Sequence, residues 1–225
     1  MKNKNTWFAV ALTIASLNLS AWAQNNCPIK VDSAFDCAKY LEQEIRKKYP
    51  NRVRRVGNTL EIKPSTGPAK VFKNIDSDSD DFRSYQLIKY FADVDYSLLA
   101  TTHYEGGTYE LIDMKTGKLT NVGGDAVLSP DQQRIAVAHA DIEAGYAPNV
   151  LSVYLITPSG LIKELDLRPN DWGAEDLKWE SNSSISFNRR HWKKDEIVKT
   201  KHKLQFQGKD IKMQGKWLAD VKLPL

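Results

Sequence analysis

The alternation of apolar and polar positions divides this chain into one helical stretch and a long series of strands. Ala34, Cys37, Ala38, Leu41 and Ile45 recur at helical spacing and define one apolar face. Ser33, followed three residues later by Asp36, fits a capping box; Lys47 and Lys48 suit the negative end of the helix dipole, and Pro50 ends the element. The pattern predicts one amphipathic helix over residues 33–49 whose role is to cover a sheet. Beyond Pro50 the helical period is lost. Short runs rich in Val, Ile, Leu, Tyr and Thr alternate with turns of Gly, Pro, Asn and Asp, which is the pattern of antiparallel strands.

The strands repeat. Four runs, 60–67, 109–117, 153–160 and 203–208, each carry an apolar strand into a glycine turn, and their glycines are 50, 43 and 48 residues apart. Glycine suits such turns because they need a positive φ. A second landmark precedes three of the runs. Phe91 leads through a polar turn to Leu98, Leu128 leads to Ile135 with the same offset, and Trp179 leads to Ile185 with an offset one residue shorter. Each unit therefore reads strand, polar turn, strand, loop, strand, glycine turn, strand. Four strands in roughly 40–50 residues is the pattern of a propeller blade. The first unit lacks the second landmark because the helix occupies its place.

Within the second landmark, Ser129-Pro130-Asp131-Gln132-Gln133-Arg134-Ile135-Ala136-Val137 resembles the Ser-Pro-Asp-Gly-Lys-x-Ile-Ala turn and strand of TolB-like and WD40-like β-propellers. Gln132 stands where that family has glycine, the Trp179 copy lacks both proline and glycine, and the Phe91 copy keeps the apolar frame alone. The resemblance spans roughly residues 85–215 and implies blade architecture. The chain has room for about three and a half blades, short of the four of a full propeller. The expected fold is mainly β: a small or incomplete propeller-like antiparallel meander with one N-terminal amphipathic helix. A β-sandwich is the competing architecture.

Composition narrows the class. With 225 residues, 41% hydrophobic and 27% charged, the chain is neither collagen-like nor disordered nor a multi-spanning membrane protein. Residues 1–23 read as a secretory signal: Lys2 and Lys4 precede an uncharged apolar run from Trp7 to Leu17, and Ala21-Trp22-Ala23 gives the small-x-small cleavage pattern. That run is too short to cross a bilayer, so the mature chain from Gln24 is expected to have no transmembrane segment. Cys27 and Cys37 are the only cysteines, and an even count in an exported chain predicts a disulfide. The domain reading is a signal over 1–23, a disulfide-clipped helix segment over 24–50 and a β domain over 51–225, in a periplasmic or secreted protein.

The search for chemistry yields no G-x-S-x-G, H-E-x-x-H, Walker A or G-x-G-x-x-G pattern. No catalytic residue and no cofactor is assigned. His103, His139 and His191 follow corresponding strands, but at different offsets, so alternation turns them apart and no metal site is predicted. Residues 76–81 begin like a calcium loop, yet Asp81 and Leu87 stand where glycine and glutamate are needed, and the segment reads as a solvated acidic linker. Asp171, Glu175 and Asp176 lie beside Trp172 and Trp179, a grouping that suits either a glycan-cleaving carboxylate site or a polar loop anchored by an aromatic. The loop at 138–149 is longer than its counterparts and carries Asp141, Glu143 and Tyr146. Extended loops on repeat scaffolds are where binding sits.

Charge is distributed by segment. Residues 24–75 carry 11 basic and 5 acidic side chains, 76–145 carry 5 and 13, 146–188 carry 3 and 6, and 189–225 carry 11 and 4. The basic run Arg189-Arg190-His191-Trp192 would suit nucleic acid elsewhere, but an export signal excludes that partner. The sequence thus points to an exported, non-enzymatic protein-binding module. Its contacts would be Asp141, Glu143 and Tyr146 on one loop and Arg189, Arg190 and Trp192 on another. The partner would be an envelope or secreted protein, as for an immunity protein, an inhibitor of a secreted toxin or cell-wall enzyme, or an envelope assembly factor. The alternative is an envelope hydrolase acting on glycans through Asp171, Glu175 and Asp176. No feature of the sequence fixes the oligomeric state.

Overall fold

A computed structural model describes residues 27–208 and 215–220. The export signal predicted for residues 1–23 lies outside the described residues. The described residues are mainly β: a helix is followed by antiparallel meanders, and no closed barrel forms among them. The helix α1 runs over Ala34–Lys48. Its N-cap is Ser33: the Asp36 amide donates to Ser33 Oγ at 3.1 Å and the hydroxyl returns a bond to Asp36 Oδ2 at 2.6 Å. The Cys27–Cys37 disulfide ties the start of the described chain to its first turn.

The described strands fall into four antiparallel sheets in chain order, one of three strands and three of four. The first sheet has three strands, β1 (Val53–Val56), β2 (Thr59–Ile62) and β3 (Lys70–Lys73). The second sheet has four: β4 (Arg83–Phe91), β5 (Tyr96–His103), β6 (Gly107–Asp113) and β7 (Leu119–Asn121). The third is built from β8 (Asp125–Leu128), β9 (Arg134–His139), β10 (Val150–Thr157) and β11 (Gly160–Leu167). The fourth holds β12 (Trp172–Ser181), β13 (Ser184–Lys193), β14 (Glu196–Gln207) and β15 (Lys216–Ala219). The hairpins that begin the second and third sheets reach their second strands through a non-glycine residue in the left-handed region, Asp95 at φ 57° and Gln132 at φ 61°. In the latter turn Ser129 does the positioning. Its hydroxyl accepts the Arg134 amide at 2.9 Å and donates to Asp131 Oδ1 at 2.6 Å, which fixes the turn and lets Gln132 occupy the position where the resembled family has glycine.

The sheets stack in chain order, and alternation along each strand supplies both faces. From the second sheet, Leu87, Leu99, Ile112 and Met114 pack on Val53, Leu60 and Ile62 of the first. Its opposite face presents Leu98, Ala100 and Leu111 to Ile135, Val137 and Val150 of the third. The other face of the third sheet, with Ala136, Ala138, Leu151 and Val153, meets Trp172, Phe187, Leu204 and Phe206 of the fourth. The central strands β5 and β9 of the two inner sheets are buried on both faces along almost their whole length, so even Ser97, Thr101, Thr102 and Arg134 lie inside. The helix lies against β4 and β1, the edge strands of the second and first sheets. Glu42, on its buried face, ion-pairs with Arg55 of β1 and accepts the Leu87 amide of β4 at 3.2 Å. One carboxylate therefore docks the helix and caps an edge that would otherwise offer a free amide to another chain.

A wholly buried ion pair within the third sheet serves as the anchor for the fourth. Arg134 Nε donates to Glu164 Oε2 at 2.6 Å and Nη2 to Oε1 at 3.0 Å, with both side chains at 0% exposure. Glu164 stands at a bulge in β11, where the pairing with β10 slips between Val153 and Tyr154; the extra residue turns its carboxylate toward the fourth sheet. There it accepts Trp217 Nε1 at 3.0 Å and the Gly215 amide at 3.3 Å, while the Arg134 guanidinium lies 4.2 Å from the Phe206 ring centre. Removing one member of a buried pair strands the other charge. Glu164→Gln is therefore expected to destabilise the fold by about 3–5 kcal/mol, and the joint replacement Arg134→Met with Glu164→Leu by much less, both read from urea unfolding midpoints.

Candidate functional site

Two segments set apart in the sequence meet at one end of the stack. The β9–β10 connection, residues 140–149, is organised by two side chains. Asp141 accepts the amides of Ala144 at 3.2 Å, Gly145 at 3.1 Å and Ala147 at 2.9 Å. Asn149, which is buried, accepts the Asp141 amide at 2.7 Å and donates to the Pro169 carbonyl at 3.1 Å. The loop lies on β12 at Gly173, where a Cβ would come within 2.4 Å of Ala140 Cα and 2.7 Å of Asn149 Oδ1. Only glycine admits the loop so close to the strand.

From there the loop reaches β13. Arg190 Nη2 contacts Glu143 Oε2 at 2.5 Å, and Trp192 Nε1 donates to the Ile142 carbonyl at 3.1 Å. Glu175 of β12 continues the network, 3.9 Å from Arg190 and ion-paired with Lys199 of β14. On its other flank the loop meets the β5–β6 turn. Gly106, at φ 75°, sits under Tyr146, and a Cβ there would be 2.8 Å from Tyr146 Cβ. Three large aromatics stay open to solvent on these connections: Tyr104 at 50% exposure, Tyr146 at 56% and Trp192 at 50%. The Trp192 N–H is already satisfied, so the surface it offers is the apolar part of the ring.

Of the six contacts read from the sequence, Glu143, Tyr146, Arg190 and Trp192 thus come into one patch. The other two turn to internal tasks. Asp141 is spent on the amides of its own loop, and Arg189 faces inward with its guanidinium 5.7 Å from the Trp172 ring centre. The sequence reading missed Asn149, Gly173 and Gly106, which hold the loop in place. No sequence signal pointed to Gly173, because its segment reads as a polar loop and folds instead as the start of β12.

The remaining candidates are dispersed. His139 ends β9, buried, its ring 5.9 Å from that of Tyr109. Burial draws its pKa below the ordinary 6.5, against a smaller upward pull from Asp141. His103 is lowered by burial and by Arg83. Among the described residues no three His, Cys, Asp or Glu side chains gather as metal donors. Trp172 is the buried anchor at the start of β12, whereas Asp171 beside it is exposed. Asp176, at φ 53° in a β12 bulge, accepts Asn188 Nδ2 at 2.8 Å. Glu175 and Asp176 line a cavity with Asp125 and His139, but its volume of about 20 Å³ holds a water and not a sugar ring. Burial raises the Asp125 carboxyl even though Lys89 Nζ lies 2.9 Å from it. A larger concavity of about 670 Å³ lies between α1 and β1, with Phe35, Lys39, Arg46, Arg54 and Gln86 in its lining.

The chain matches no protein-family model, and no curated protein is similar to it.

Two outcomes follow from this geometry. Gly173→Ala should push the 140–149 loop off β12 and cost about 1–3 kcal/mol, with faster amide exchange at Ala144, Gly145 and Ala147 as its local signature. Because the folded-state pKa values of His139 and His103 are depressed, the unfolded chain binds protons first on acidification. Stability is therefore full above the ordinary histidine value of 6.5 and falls as pH drops below it, and His139→Gln should flatten that slope in denaturation series at successive pH values.

Proposed function

We propose that this protein is an exported, non-enzymatic binding module that holds a protein partner at the patch formed by the 140–149 loop and the β13–β14 hairpin. The observation that carries the reading is the convergence of Glu143 and Tyr146 with Arg190 and Trp192, joined by the 2.5 Å Glu143–Arg190 contact and the Trp192–Ile142 hydrogen bond. Interfaces depend on a few rigid aromatic and arginine anchors surrounded by polar groups. Tyr104, Tyr146 and Trp192 fit the first role, and Glu143, Arg190 and Glu175 fit the second. The loop is held by its own Asp141 and Asn149 contacts, so little ordering remains to be done on association.

The disulfide is in keeping with an oxidising compartment, and no helix among the described residues is long and apolar enough to cross a membrane. With the signal pattern in residues 1–23, these support a periplasmic or secreted location. The partner class is an envelope or secreted protein, and the biological role that of an immunity protein, an inhibitor or an assembly factor. The resemblance of residues 129–137 to TolB-like blades enters as a proposed kinship of architecture, supported by the left-handed Gln132 at the family's glycine position. Such a kinship does not carry function.

The test is capture from envelope and secreted fractions with the mature chain, residues 24–225, followed by affinity measurement on the partner retained. Tyr146→Ala and Trp192→Ala are each expected to weaken binding by about 10- to 30-fold with unchanged melting, whereas Asp171→Ala should leave it intact. Loss of a glycan-cleaving activity in Asp171→Ala, with no protein retained by the wild type, would replace this reading with the hydrolase.

A further inference from the structure

The fourth sheet ends the stack among the described residues, so its inner face is packed and its outer face is covered at the Gly173 end by loop 140–149 and exposed at Lys178, Lys201 and Lys203. Its register identifies the side chains on that outer face. Residues opposite each other in an antiparallel pair project to the same side. Gly173, Arg190 and Lys199 form one row, Glu175, Asn188 and Lys201 the next, and Lys178, Ser186 and Lys203 a third. Trp192 and Ile197 continue the same face at one end, and Lys216, opposite Gln207, lies on it at the other. Between the cations the floor is made of short polar side chains, so the lysine ammonium groups are its highest features.

The charges do not cancel. Glu175 is committed to Lys199 and Arg190, and Arg190 is further engaged by Glu143. That leaves Lys178, Lys201 and Lys203, all exposed, around Glu180 among the described residues. Glu180 is itself fixed by the Ser186 hydroxyl at 2.5 Å, and this bond with the three lysines holds its carboxyl below the usual range. Along β14, Lys199, Lys201 and Lys203 repeat on one side at about 6.6–6.8 Å, near enough to repel one another in the free protein. An anionic counterpart would relieve that repulsion.

We infer that the outer face of the fourth sheet docks the protein on anionic lipid bilayers, with Lys178, Lys201 and Lys203 over the headgroups and Trp192 at the edge of the contact. The chemistry favours a fluid anionic surface over a folded partner. A specific protein interface needs an apolar centre, and this face has none between Trp192 and Leu218. A layer of lipid phosphates needs only a dense, exposed set of cations on a short leash, and an interfacial tryptophan prefers the headgroup level. The attachment is peripheral and shares Trp192 with the protein-binding patch, but its cations lie apart from it: loop 140–149 sits at the end where Glu143 and Glu175 have already neutralised Arg190 and Lys199.

The experiment is sedimentation of the mature chain with vesicles of phosphatidylcholine, with and without phosphatidylglycerol, over a salt series. Binding is expected to the anionic vesicles alone and to fall as salt rises. Lys178→Gln, Lys201→Gln and Lys203→Gln should each weaken partitioning about fivefold, and the triple variant about a hundredfold, with melting unchanged. The single variants keep the test valid if the triple one does not fold. Tyr146→Ala, which would weaken the protein-binding patch, should leave vesicle binding unaltered. The inference is overturned if the wild type ignores anionic vesicles at low salt, if the lysine variants bind as well as the wild type, or if a soluble polyanion such as polyglutamate is bound while vesicles are not.

Discussion

A guanidinium and a carboxylate with no access to water hold the last two sheets of this protein together. Arg134 opens β9, Glu164 stands at the bulge in β11, and the pair is completed by Trp217 and Phe206 from the sheet beyond. Such a pair is expensive to desolvate, and it is tolerated when every polar atom has a partner and the geometry is bidentate. Its effect is one of placement. It fixes β15 against the third sheet and therefore fixes the orientation of the whole fourth sheet, on which both proposed surfaces lie.

The stack solves a burial problem that a single meander cannot. The central strands of the two inner sheets are buried on both faces and need neighbours on each side. The two ends of the stack are treated differently. At the first end, α1 covers the edges of the first two sheets and Glu42 satisfies an edge amide. At the other end, the fourth sheet exposes a face rich in lysine, with Lys178, Lys201 and Lys203 open to solvent. The chain's segmental charge pattern acquires a spatial meaning here, because the basic C-terminal segment contributes to that face.

Much of the fold was legible because it is local. The helix was readable from its cap and its apolar period, and Ala34–Lys48 matches the predicted 33–49 within a residue at each end. The strands were readable because each hairpin needs its own turn chemistry, and each of the four glycine-marked runs is the strand before the last of its sheet. The site was only half legible. Tyr146 could be picked out as an aromatic in a polar loop, whereas Arg189, Arg190 and Trp192, expected on a second loop, lie in strand β13; Asp141 and Arg189 looked like surface contacts and are engaged internally. A carboxylate that caps its own loop has the same sequence appearance as one that waits for a partner.

The sequence by itself determined the class of elements, their order, the disulfide pairing and the total of charges, since each depends on neighbours a few residues away or on simple counting. Tertiary structure decided which face each strand buries, that Glu164 pairs with Arg134, and that the 140–149 loop crosses Gly173 to meet Arg190 and Trp192. Those contacts join residues tens of positions apart, and they rest on a one-residue bulge and on the space left by an absent side chain. Neither leaves a periodic trace in the chain, because a bulge or a close approach is specified by the packing of whole sheets and not by the residues around it.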